Sequence, residues 1–235
     1  MSDPQSANTT VRQESPAERL LTPVQFVRGV GPQRAEPLKN LGIFTARDLL
    51  FHIPTGVNDF SDVRTVPRLE ANVEQSVHGF VVDRDVRQIG GGRSLVGIML
   101  DCDGHYVRGL WFNQPWVFKK YRDNEHLVFS GKPQKKAGRW EFNAPRVAIL
   151  APDDDLEAAA GVLPRYPLTD GIKLDAMQRM TRSAVENFAD LVTDCVPESF
   201  RAAHRLPDLS MALHWLHTPD SVKQWQDGRY RILLD

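Results

Sequence analysis

The sequence predicts an α+β fold: helices at the N-terminus, a five-stranded β-barrel in the middle, and helices again towards the C-terminus. Three observations predict it. Helix-start signals and paired glycines crowd residues 15–55, β-rich runs separated by turn residues fill 74–150, and apolar residues recur three or four apart from residue 174. At 235 residues the chain has room for one large domain or two small ones, each with its own core. Its 41% hydrophobic and 25% charged residues are an ordinary globular composition.

Residues 1–14 are polar and rich in Ser, Thr, Asn and Gln, which predicts a disordered tail. Ser15-Pro16-Ala17-Glu18 has capping-box spacing with proline at the first helical position, and Thr22-Pro23-Val24-Gln25 repeats that signal. Phe26 to Leu50 then reads as two short helices joined by a Gly-hydrophobic-Gly hairpin, a second turn, and a third helix capped by Thr45 with Asp48. Gly29 and Gly31 let the backbone take positive φ and approach a ligand with no Cβ in the way. Pro32 suits a first helical turn, whose unpaired N–H groups favour a phosphate. Segment 15–55 is therefore read as helix-hairpin-helix-like, with Gly29, Val30, Gly31 and Arg34 as phosphate contacts that read no bases. A tight interhelical turn is the plainer alternative. One detail conflicts: Pro37 falls inside the helix expected over 32–41, at roughly 3 kcal/mol unless the helix kinks.

The β-rich runs are Val77–Asp83, Ser94–Asp101, Tyr106–Phe112, His126–Gly131 and Trp140–Leu150. Gly90-Gly91-Gly92 and Asp103-Gly104 punctuate the first three, and a short helix over Pro115–Tyr121 follows the third. Five strands with a helix after the third match a small Greek-key barrel of the oligonucleotide-binding (OB) type, assigned here to residues 56–150. A structural or protein-binding barrel shares that pattern. Residues 151–164, with Asp153-Asp154-Asp155, read as an acidic linker, since nothing nearby completes a cation site. In the segment 165–235, Leu174, Met177, Thr181, Ala184, Val185, Phe188 and Leu191 form a core-facing helical stripe. Another helix is expected near Ser210–Leu216 and a last one after Pro219, ending as if a longer helix continued.

The net charge of -1 supplies no global cationic field, so any nucleic-acid binding must be local. Residues 74–150 hold twelve basic and eight acidic residues, a barrel near +4. Lys132, Lys135, Lys136 and Arg139 bracket one hairpin, and Lys119-Lys120 ends the short helix. Strand alternation places Val107, Gly109 and Trp111 on one face and Arg108, Leu110 and Phe112 on the other. Trp111 is thus assigned to the core and Phe112 to an open face beside Arg108, while Trp116 either caps the barrel mouth or fills the core. Two distant cysteines, Cys102 and Cys195, support neither zinc nor a disulfide framework. His214 and His217 read as surface histidines, and no His-Glu-x-x-His or Gly-x-Ser-x-Gly pattern occurs. Gly131-Lys132 is followed by Pro133 and lacks the upstream glycine of a phosphate-binding loop, so no ATP hydrolysis by the usual route is expected. The chain reads as cytosolic, with no apolar run of membrane-spanning length.

Six ordered pieces carry a resemblance: Gly29-Val30-Gly31-Pro32, Leu41-Gly42-Ile43, Asp48-Leu49-Leu50-Phe51-His52-Ile53-Pro54, Trp111-Phe112-Asn113, Ser130-Gly131-Lys132 and Tyr166-Pro167-Leu168-Thr169-Asp170-Gly171. Over roughly Leu21 to Asp235 the chain resembles the N-terminal part of RecG, a bacterial ATP-dependent helicase family that remodels replication forks and Holliday junctions. The resemblance implies a wedge domain, an OB barrel that splits strands at a DNA branch. It implies an aromatic just after the third strand stacking on the branch base and a second four residues on, the positions of Phe112 and Trp116. Trp111, beside Phe112, is carried as a further stacking candidate. Phosphate contacts are expected from Arg108, Lys119, Lys120, Lys132, Lys135, Lys136 and Arg139. Branched DNA and the helicase motor domains of the intact protein are the implied partners, with no membrane and a monomeric state. No cofactor is expected in this chain, ATP and magnesium belonging to the intact helicase. The sequence departs from the family at Thr55-Gly56-Val57, where basic and aromatic residues are common, and at Phe60, where arginine is usual. The alternative is a free-standing OB module that binds single strands or another protein.

Overall fold

Ser15 opens the first helix as its capping signal requires. Its hydroxyl accepts from the Glu18 amide at 3.2 Å, and its own amide donates to the Glu18 carboxylate at 2.8 Å. That box starts α1 (Pro16–Leu20). The structure is a computed structural model describing residues 14–150 and 161–234; the tail expected over 1–14, Glu14 apart, and most of the linker expected over 151–164 lie outside the described residues. Two compact units result. The first comprises the described residues of Met1–Ile53, Leu168–His214 and Arg231–Asp235; the second comprises Pro54–Pro167 and Trp215–Tyr230.

In the first unit the second start signal fails. The Thr22 hydroxyl donates to the Arg19 carbonyl at 2.6 Å, finishing α1, and Pro23 leads only into a 3-10 turn, Val24–Phe26, with no side-chain cap. The hairpin glycines take φ of +88° at Gly29 and +65° at Gly31, and α2 (Gly31–Leu38) follows. Pro37 sits in its closing turn, and at Lys39 the helix gives way to a 3-10 turn, Lys39–Leu41. The helix expected through residue 41 thus ends early, and Pro37 stands inside it, one residue before its end. Asp48 accepts from the Phe44 and Thr45 amides at 3.0 and 2.9 Å, completing the predicted box of α3 (Ala46–Leu50). Leu49 and Leu50 of α3 are buried, and the helix packs on a longer C-terminal one described below.

The second unit begins with β1 (Gly56–Asp59), followed by β2 (Gln75–Ile89), β3 (Arg93–Cys102), β4 (His105–Phe112), α4 (Trp116–Lys120), β5 (His126–Gly131), β6 (Pro133–Lys136), β7 (Arg139–Asn143), β8 (Arg146–Leu150) and β9 (Val162–Arg165). Strands β2 to β8 form one sheet in the order β6-β7-β4-β3-β2-β5-β8. The run expected as one strand, Trp140–Leu150, is two: β7 pairs parallel with β4, and β8 pairs antiparallel with β5. Only Ala144 and Pro145 separate β7 from β8, although β8 is one edge of the sheet and β7 stands next to the other edge, β6. Asn143 and Arg146 are three Cα steps apart, at most about 11 Å, so the sheet has to curl to bring β8 back towards β7. Strand β2 bends to allow it, pairing with β5 through residues 75–80 and with β3 through residues 80–89, around a bulge at Val81/Asp83.

Inside the curl lie Val77, Val81, Ile98, Val107, Trp111, Leu127, Phe129 and Phe142, with Val117 and Tyr121 from and beside α4. A second cluster, Phe60 with Val128, Ala148 and Leu150, includes the residue that stands where the family prefers arginine; here it is buried. Residues 162–165 of the expected linker and its border form β9, paired with β1 from Gly56↔Arg165 to Asp59↔Val162. The C-terminal helices are α5 (Leu174–Phe188), α6 (Glu198–His204), α7 (Leu209–His217) and α8 (Val222–Ile232). The predicted stripe of α5 is borne out at Met177, Thr181, Ala184 and Val185, all buried, and α5 is the helix on which α3 packs. In the first unit Arg231 is fully buried, its guanidinium donating to Asp194 at 2.6 Å and to the Pro207 carbonyl at 3.1 Å.

Candidate nucleic-acid interface

At the end of β4 the chain turns sharply. Asn113 takes φ +55°, its amide donating to the Ser94 carbonyl at 2.8 Å and its side-chain oxygen accepting from the Ser94 amide at 3.2 Å. That clamp leaves Phe112 as the last residue of β4 and Trp116 as the first of α4, with 50% and 59% of their surfaces exposed. Trp111 is 4% exposed and lies edge-on to Phe129 at 5.7 Å. Its place among the stacking candidates is therefore corrected: alternation sends it into the barrel, where no base reaches it. Gly109 leaves the room it needs, since a Cβ there would stand 2.6 Å from the Trp111 ring and 2.8 Å from that of Phe129.

The candidate cations divide into free and engaged. Five of the twelve barrel cations have acidic partners: Arg84 with Asp123, Arg87 and Arg108 with Asp85, Lys136 with Glu141, and Arg146 with Glu74. Arg108, expected to flank Phe112 as a phosphate contact, is half-buried and neutralised by Asp85 across the sheet. Arg84 also donates to the Phe118 and Tyr121 carbonyls, tying α4 to β2. Lys119, Lys120, Lys132, Lys135 and Arg139 are exposed and have no ion-pair partner among the described residues. Lys136 is 3.9 Å from Glu141, too long to hold it firmly. Tyr106, on the same outward face of β4 as Phe112, is 57% exposed; the alternation that singled out Phe112 also pointed to it.

The glycine hairpin belongs to the first unit. A Cβ on Gly29 or Gly31 would meet no atom within 4 Å, so positive φ, rather than crowding, is what demands glycine there. Val30 is a packing residue: its side chain is buried and its amide donates to the Val27 carbonyl at 3.1 Å, removing one of the expected phosphate donors. Arg34 donates to the Gly29 carbonyl at 2.7 Å and braces the turn from outside.

His217 is not a surface residue. It is buried, with its Nδ1 2.7 Å from the Tyr166 hydroxyl and its ring stacked on that of Tyr166. Burial pushes the Cys102 thiol up to about 12, aided by Asp101 and Asp103, so it is no nucleophile at neutral pH. Burial, then the neighbouring His78, holds His126 below the usual histidine range; their ring nitrogens are 3.1 Å apart. No three His, Cys, Asp or Glu side chains converge on a metal position among the described residues, nor is any helix there long and apolar enough to cross a membrane. What the second unit offers a ligand is stacking surface and positive charge.

Comparison with known proteins identifies the chain's family. ATP-dependent DNA helicase RecG of Bacillus subtilis is 25% identical over 219 residues, covering 91% of this chain and 30% of that protein. The RecG proteins of Thermotoga maritima and Synechocystis are 25% and 26% identical, each covering 92% of this chain and 28% of their own length. The chain thus spans less than a third of the length of these relatives. A solved structure described as RecG bound to a three-way DNA junction matches 91% of this chain and 29% of its own, with a TM-score of 0.61 and 24% identity, a likeness of fold. A family model described as the RecG wedge domain matches residues 23–188, well over half of the sequence. This chain belongs to the RecG wedge domain family.

Proposed function

We propose that this chain is the branched-DNA-binding segment of a RecG-like ATP-dependent DNA helicase, serving repair and recombination as a strand-separating wedge. The observation that carries this reading is the pair of open aromatic rings, Phe112 and Trp116, at the rim of a barrel of the wedge family. Each ring stacks on a base parted at the branch, and Lys119, Lys120, Lys132, Lys135 and Arg139 hold the diverging phosphates. ATP and magnesium belong to the helicase domains of the intact protein, which supply translocation.

Magnitudes define the mechanism. A base stacked on an aromatic side chain gains roughly 1–3 kcal/mol. A duplex step lost at the fork costs about 1.4 kcal/mol on average. One ring therefore compensates about one broken step: the wedge holds an open branch open but does not melt duplex unaided.

Fluorescence anisotropy with a labelled three-way junction and a single strand of equal length tests this. The junction is expected to bind more tightly. With about four phosphates neutralised, log affinity should fall against log salt with a slope near -3 to -4. A strong single-strand preference, or affinity flat with salt, overturns the reading.

A further inference from the structure

The outer face of β4 carries a second aromatic position that the rim does not use. Tyr106, Arg108, Leu110 and Phe112 alternate onto that face, with Leu110 buried and an exposed aromatic at each end. Six residues at about 3.3 Å each put Tyr106 roughly 20 Å along the strand from Phe112. Tyr106 opens on a groove of about 680 Å³ whose wall also includes Met99, Arg108, Lys135, Arg139 and Trp140. Lys135 Nζ lies 5.7 Å from the centre of the half-buried Trp140 ring, whereas Tyr106 is 57% exposed, so Tyr106 is the more open ring in the groove. Glu141 is the one carboxylate in the wall, and Asp85 already engages Arg108, leaving Lys135 and Arg139 as free cations.

We propose that this groove holds a single-stranded nucleic-acid segment, one base stacked on Tyr106 and its phosphates along Lys135 and Arg139. The inference rests on the wedge reading and extends it: a strand parted at Phe112 runs along the outer face of β4 to a second stacking position several nucleotides away. An open ring beside two unpaired cations suits an anionic backbone bearing flat bases. An apolar polypeptide would leave both charges without partners.

The full chain is tested at one fixed salt concentration against three probes: a junction with all arms duplex, the same junction with one arm single-stranded, and oligothymidylate. Tyr106→Ala and the double variant Lys135→Ala/Arg139→Ala should each weaken binding to the single-stranded arm about tenfold. Tyr106→Ala should leave the all-duplex junction within about twofold, whereas the double variant, which also removes two of the wedge's phosphate contacts, should weaken it as well. Tyr106→Phe, which keeps the ring, should restore wild-type affinity and guards against a folding defect. Equal losses on both junctions from Tyr106→Ala overturn the groove. So does unchanged affinity for every probe, which would point to a polypeptide occupant. If oligothymidylate binds through Tyr106 while the wild-type chain shows no junction preference, the wedge reading falls and the groove stands.

Discussion

Trp111 and Phe112 are neighbours in sequence with opposite fates. The indole fills the barrel against Phe129 and Tyr121, while the phenyl ring next to it projects from the rim. Truncating each should therefore separate stability from binding. Trp111→Ala should cost about 3–5 kcal/mol, as expected for deleting a large core ring. Phe112→Ala should change stability by no more than about 0.5 kcal/mol yet weaken junction binding about tenfold. Urea midpoints and anisotropy on the same samples read both. A large stability loss from Phe112→Ala would show that the ring is structural.

At the scale of elements, the first unit depends on short helices that cannot stand alone. α3 has five residues, far below the length at which an isolated helix persists, so its cap and its packing on α5 carry it. Thr45 accepts from the Asp48 amide at 3.2 Å and donates to the Asp48 carboxylate at 2.9 Å. Thr45→Ala should cost about 1 kcal/mol, read as a lower urea midpoint with an unchanged slope, whereas Thr45→Ser should leave the midpoint nearly unchanged. Equal losses in both variants would remove the cap from the account. This element was legible because its signal spans four residues. The Thr22-Pro23 repeat of the same signal misled, because Thr22 turned back to close α1 instead. The strand expected over Trp140–Leu150 misled for a different reason: its β-rich composition is continuous, and nothing local says that one half pairs with β4 and the other with β5.

For the molecule as a whole, closing the barrel removes a thiol from water. Cys102 is held up to about 12 against an ordinary value of 9.0, chiefly by burial. Between those values the unfolded chain releases a proton that the folded chain keeps, so its contribution to stability is intact below pH 9 and declines as pH rises towards 12. Other groups titrate in that range, so the measurement is a difference. Cys102→Ala should flatten the alkaline loss of unfolding free energy relative to wild type, and superimposable pH profiles would refute the assignment. Closure also redistributes charge. The barrel counts near +4 in sequence, yet its five ion pairs gather half of its eight acidic side chains and leave the free lysines concentrated on α4 and on the β6–β7 hairpin with its approach.

The sequence by itself determined whatever depends on near neighbours: the caps at Ser15 and Thr45, positive φ at Gly29 and Gly31, and the alternation that separates Trp111 from Phe112. Each follows from backbone sterics or from hydrogen bonds reaching no more than four residues. Only the tertiary structure decided that β7 and β8 pair with different strands on opposite sides of one sheet, that Asp85 neutralises Arg108, that Phe60 and His217 are buried, and that Tyr106 opens on a groove. Those outcomes join residues tens of positions apart. They are set when the curling sheet chooses its pairings, a choice made by burial across the whole barrel and written in no single stretch of chain.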